Sequence, residues 1–171
     1  WKKPLLIIMS GFFMFNLKAD GLSFQWNENC RKAYQSILLY DTTEARRLIA
    51  LEEENAIATY LESYLDVINL IAFEDESKWD YFEKRFENRM DMLSDADEES
   101  EFYHFTQAEC ELHRSLALMK FGKFLPAGWH FNKAFKHCKK QDEKYPDFLP
   151  SKKTYLALQA GIGSLPRKYQ M

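Results

Sequence analysis

Apolar residues recur every third or fourth position over long stretches of this chain and nowhere alternate strictly, so the pattern predicts helices and no strands. The clearest stripe is Ile57, Tyr60, Leu61, Tyr64, Leu65, Ile68, Ile71 and Ala72. Val67, Leu70 and Phe73 add a second apolar face, which places this helix near the centre of the fold with neighbours on more than one side. Trp79, Phe82, Phe86, Met90 and Leu93 mark the next helix, after a break at Glu74-Asp75-Glu76, where acidic residues suit a helix N-terminus. Phe105, Ala108, Leu112, Leu116 and Met119 mark a long helix that ends at Gly122, a C-terminal cap. Its partner carries Phe124, Ala127, Phe131, Ala134, Phe135 and Cys138 and must stop before Pro146. An earlier pair is expected over 33–39 and 43–51, joined where Asp41 and Thr42 can cap the second helix. A last helix is expected over 153–160, followed by a turn from Gly161 to Pro166.

The connections are short, and short connections make neighbouring helices antiparallel. Hairpins therefore follow one another at roughly forty residues per pair, the period of stacked repeats and not of a single closed bundle. The expected fold is all-α, a TPR-like α-solenoid of stacked antiparallel helical hairpins. One domain is expected over 22–171, and it is expected to continue beyond Met171. A chain of 171 residues is long enough for one real core.

Residues 1–19 follow a different pattern. Lys2 and Lys3 precede an apolar run from Leu5 to Phe15, broken only by Ser10 and Gly11, and Ala19 precedes Asp20. That order is the layout of a secretory signal peptide, cut after Ala19. The apolar run is far shorter than the ~20 residues a bilayer span requires, so no permanent membrane anchor is expected. The chain is read as exported, to the periplasm or cell envelope.

Around 118–146 the residues resemble a tetratricopeptide repeat. Gly122 takes the small-residue position where the first helix of a repeat ends, with Leu118 and Phe121 on the two preceding packing positions. Ala134 takes the position where the second helix needs a small residue, and Pro146 the position where the repeat terminates. Cys138, Gln141 and Leu125 depart from the usual residues, and the earlier hairpins lack the glycine. The chain after the signal also resembles the N-terminal part of exported helical-repeat proteins of the Bacteroidota. That likeness is carried by Lys120-Phe121-Gly122-Lys123-Phe124, the stretch from Trp129 to Phe135, and Tyr145-Pro146-Asp147-Phe148-Leu149-Pro150. The resemblance implies the fold and export and carries over no catalytic residue.

Composition narrows the chemistry more than the fold. Aromatic residues make up 16% of the chain, and a surplus of that size must pack between helices or line a pocket. The three cysteines, Cys30, Cys110 and Cys138, fall on helical core positions and read as small buried side chains, although a Cys110–Cys138 bridge is open if their helices are neighbours. Cys110 and His113 lie one turn apart, and His137 and Cys138 lie on the expected partner helix, residue types that zinc accepts. Adjacent residues diverge by about 100° around a helix, however, which disfavours chelation by both His137 and Cys138. Glu101 and His104 have the spacing of di-iron bundles, but such sites need two copies of that motif and this chain has one. No phosphate loop, nucleophile elbow or HExxH motif occurs, and the acidic runs Glu52-Glu53-Glu54 and 95–101 read as solvated. No catalytic residue, cofactor or metal ligand is nominated, and the chain is not read as an enzyme.

Charge is distributed unevenly. Residues 41–111 hold 21 acidic and 6 basic side chains, whereas 114–153 hold 10 basic and 3 acidic. Such polarity steers charged partners and favours specificity over affinity. Trp129, Lys133, Lys136 and Lys140 form the candidate interaction face, and overall acidity with an export signal argues against nucleic acid. The sequence therefore points to a scaffold that presents a groove to a protein or peptide. The alternative is a helical protein that binds a small molecule or glycan through its aromatic surplus. Aromatics gathered at one concavity would favour that alternative, and a long polar groove the scaffold.

Overall fold

The computed structural model describes residues 22–74 and 76–164. The expected signal over 1–19 and its cut after Ala19 lie outside them. Seven α-helices are described: α1 Glu28–Leu38, α2 Thr42–Ile49, α3 Ala56–Phe73, α4 Trp79–Ser94, α5 Tyr103–Lys120, α6 Phe124–Lys144 and α7 Leu149–Ser164. A 3₁₀ turn, Glu76–Lys78, leads into α4. The described residues contain no strand, only an isolated bridge between Ser23 and Asn55. The fold is all-α.

The helices pack in a regular order. Each odd-numbered helix touches the next odd one, α1 on α3, α3 on α5 and α5 on α7, while α2, α4 and α6 each pack on the helices before and after them in sequence. The α5–α6 hairpin is the most extensive contact. Leu61, Leu65 and Ile57 are almost wholly buried, and α3 meets α1, α2, α4 and α5, as its two apolar faces require. Among the described residues α3 is also the one helix long and apolar enough to cross a membrane, and here that apolarity is spent on the core.

Local signals set the boundaries. Asp41 caps α2 by accepting from the Glu44 N–H at 3.1 Å, and Asn55 caps α3 by accepting from the Ile57 N–H at 3.0 Å. At the end of α5, Gly122 has φ +72°. The Lys123 N–H reaches the Leu118 carbonyl at 2.9 Å and the Gly122 N–H the Met119 carbonyl at 3.1 Å, a Schellman cap. Tyr40 at φ 60° makes the same pair of bonds after α1, and Glu74 at φ 52° closes α3, so hairpins that lack the glycine still turn through a left-handed residue. Gly122→Ala is expected to cost about 1–2 kcal/mol, because a side chain at this φ is strained even in open space. Urea unfolding of the single variant measures it.

One boundary and one side chain differ from the expectations drawn from the sequence. Helix α7 starts at Leu149 and runs to Ser164, through the expected turn at Gly161. Tertiary packing overrides the glycine signal there: the Gly161 backbone lies against the ring of Phe131 on α6, with the ring 3.5 Å from where a Cβ would stand. The second difference is Glu52, expected to be solvated with its neighbours. It accepts hydrogen bonds from Asn27, Asn29 and Asn55 at 2.6, 2.8 and 3.1 Å, which hold its carboxyl below the usual range.

Candidate functional site

One face of α5 builds an aromatic concavity. Phe105, Glu109, Leu112, His113 and Leu116 recur at the spacing of a single helical face, and Tyr60 and Tyr64 stand one turn apart on α3. Tyr34 from α1, Trp26 and Phe102 close one end, and Leu149, Pro150, Lys153 and Thr154 from the start of α7 form the opposite wall. The enclosed volume is about 580 Å³, within the range of small-molecule pockets. Every helix that contributes is odd-numbered.

The rings are held by one another. Tyr60, Tyr64 and His113 lie nearly parallel, with His113 5.2 Å from Tyr64 at 7° and 6.1 Å from Tyr60 at 13°. Trp26 stacks on Phe102 at 6.5 Å and 14°, and Phe102 meets Phe148 edge-on at 5.1 Å. The segment carrying Trp26 is fixed by Asn55, which accepts from the Gln25 N–H at 3.0 Å and donates to the Gln25 carbonyl at 2.7 Å. Asn55→Ala removes this clamp and the α3 cap together. It is expected to cost about 1–2 kcal/mol and to increase the quenching of Trp26 fluorescence by iodide.

The polar groups of the cavity are few. Thr154 donates to Glu109 Oε1 at 2.5 Å, and burial pushes the Glu109 carboxyl above its usual range. His113 Nδ1 lies 3.1 Å from Ser63 Oγ, and burial, with a smaller contribution from the Arg89 charge, lowers its pKa to about 3. His113 is therefore a neutral ring in the wall. Burial also raises the Tyr60 and Tyr64 phenols, with the Glu109 charge a further cause in both.

A second groove, of about 620 Å³, runs between α4, α5 and α6 and gathers all four residues of the candidate interaction face. Trp129 is 57% exposed, and Lys133 Nζ stands 3.8 Å above its ring centre. Lys136 and Lys140 line the same wall further along α6, while Glu87 and Asp91 of α4 line the other. Beneath them the buried Glu111 pairs with His130 at 2.5 Å and with Lys133 at 3.4 Å. No protein-family model, curated protein or solved structure matches this chain.

The other nominated residues are structural. Phe121 packs edge-on against Trp79 at 5.7 Å, Leu118 and Ala134 are buried, and Pro146 follows the end of α6. Cys110 and Cys138 are unbridged thiols in different clusters, the first packed with the α1–α3 core and the second with Ala108 and Leu158, and burial pushes both up to about 12. His137 faces His104 at 5.6 Å instead of Cys110 or His113. Among the described residues no three His, Cys, Asp or Glu side chains converge as metal ligands would.

The sequence reading missed the cavity itself. Tyr60, Tyr64, Leu112 and Leu116 all belonged to apolar stripes assigned to the core, yet Leu116 is 41% exposed. The available signal was Glu109, a carboxylate set into the apolar face of α5.

Proposed function

We propose that this chain is a binding protein of the cell envelope that holds a small molecule in the aromatic cavity on the odd-helix face. The single observation that carries this reading is the gathering of six aromatic side chains, Trp26, Tyr34, Tyr60, Tyr64, Phe102 and Phe105, around one concavity with a few polar groups at its centre. An apolar wall with sparse polar contacts takes up the body of a ligand and orients it. The reading is non-enzymatic, since what the cavity offers is an apolar wall with sparse polar contacts.

The proposed architecture is a tetratricopeptide-like solenoid. Its support is the packing order, in which each odd helix touches its own partner and the next odd helix, together with the left-handed caps after α1, α3 and α5. In such a stack the odd helices share one face, and that face carries the cavity. Export rests on the residue pattern of 1–19.

A protein-binding scaffold is the second reading, favoured by the groove between α4 and α6. Its opposed rows, Lys136 and Lys140 against Glu87 and Asp91, suit a partner that carries both charges.

Saturation-transfer NMR of the full chain with a library of aromatic fragments tests the first reading. Binding is expected, and Leu116→Arg, at an exposed wall position that tolerates a long side chain, is expected to weaken it at least ten-fold. Binding unchanged in that variant would refute the assignment of the cavity.

A further inference from the structure

We infer that the ligand of this cavity is an organic cation, an ammonium head on an apolar or aromatic body, with the head seated between the Glu109 carboxylate and the rings of Tyr60 and Tyr64. The inference rests on the ligand-binding reading and adds the chemistry of the ligand.

Glu109 is the one acidic side chain in the cavity wall. Its hydrogen-bond partner is the neutral hydroxyl of Thr154, and among the described residues no Lys, Arg or His lies at ion-pair distance from it. Glu109 is part-buried, and a carboxylate partly withdrawn from water and held by a neutral hydroxyl is stabilised by either of two events, protonation or the arrival of a positive charge. The pocket is built for the second. Tyrosine rings attract cations through their quadrupole, and here Tyr60 and Tyr64 line the same cavity as the Glu109 carboxyl, whose charge when ionised reaches both phenols. His113 is neutral, so no positive charge opposes a cation from that wall. Lys153 is the cavity's cation; it is exposed, and its charge favours the ionised form of Glu109 without pairing with it. An anionic ligand would gain Lys153 but meet Glu109 in the same lining. The remaining wall, Phe105, Leu116 and Leu149, offers apolar surface for the body of the ligand.

Titration calorimetry of the full chain at pH 7 with three probes of similar size tests this: 2-phenylethylammonium, neutral 3-phenylpropan-1-ol and anionic 3-phenylpropionate. The cation is expected to bind at least ten-fold more tightly than either other probe. Glu109→Gln is expected to abolish that preference and leave binding of the alcohol unchanged, while Lys153→Ala is expected to leave cation binding equal or tighter. Should Glu109→Gln fail to fold, Glu109→Asp keeps the charge and is expected to keep the preference. Equal or tighter binding of the alcohol or the acid, a preference that survives Glu109→Gln, or a cation site lost in Lys153→Ala would each overturn the cation and leave the ligand-binding reading standing. Failure of all three probes overturns the cation as well. If the fragment library also fails to bind, the ligand-binding reading falls with it.

Discussion

Replacing Arg89 by alanine is expected to destabilise the protein by about 3 kcal/mol or more, the largest loss from any single charged side chain in the fold. Arg89 lies on α4 with 3% of its surface exposed, and its guanidinium pairs with Asp66 and reaches Glu62 at 3.4 Å, both on α3. Removing it opens a void at the α3–α4 contact and leaves Asp66, 11% exposed, to Arg85 at 2.8 Å and to the distant Arg46 at 3.9 Å. The cost comes from a buried carboxylate deprived of its best partner and not from the net worth of the pair. Arg89→Met fills the void without the charge and should therefore recover part of the loss. Arg85→Ala, at a more open site, should cost no more than about 1 kcal/mol. Urea unfolding of the three variants measures the series, and a loss below about 1 kcal/mol for Arg89→Ala would contradict the buried pair.

Acidification is expected to produce the second large effect. Burial lowers the pKa of His113 to about 3 and that of His137 to about 4, both from an ordinary 6.5. Below pH 6.5 the unfolded chain therefore binds protons that the folded chain refuses. The stability these rings contribute is present above pH 6.5 and is lost as pH falls toward 4 and then 3. At about 1.4 kcal/mol per unit, His113 alone accounts for a loss on the order of 3–4 kcal/mol between pH 6.5 and 4. Glu109 acts with the opposite sign. Its raised pKa contributes stability that is fully present below the ordinary carboxyl value near 4.5 and is lost as pH rises through the folded value, so it offsets part of the acid loss. Urea unfolding at pH 7 and pH 4 reads the sum. His113→Gln, which can still hydrogen-bond Ser63, should flatten the pH dependence, and a slope identical to that of the parent chain would contradict the neutral buried ring.

The helices were legible because their stripes are long and their ends carry chemistry that acts locally. Helix α3 falls within a residue or two of its expected range, and Asp41 caps α2 through its own side chain. Trp129, Lys133, Lys136 and Lys140 were legible as one face because their spacing of four, three and four follows the helical turn. The α3–α4 ion pairs had an equally plain signature, Glu62 and Asp66 one turn apart against Arg85 and Arg89 one turn apart, but counting charge over 41–111 hid the arginines among the acids. Periodicity could not reveal the cavity. It says which side of a helix is apolar and not whether the neighbouring helix comes close enough to cover it. Leu116 and Tyr64 carry the same signal as Leu61, yet they line the cavity while Leu61 is wholly buried. Gly161 failed for the reverse reason, since a residue that breaks helices in isolation is held in one by the ring of Phe131.

Two exposed indoles separate the competing readings, because Trp26 lines the aromatic cavity and Trp129 lines the charged groove. The most direct measurement is an ¹H–¹⁵N correlation spectrum of the tryptophan side chains, recorded on the full chain as ligand or fragment mixtures are added. Shifts at the Trp26 indole with the Trp129 signal unmoved are the result this account predicts. Shifts at Trp129 alone would place recognition in the groove between α4 and α6 and contradict it.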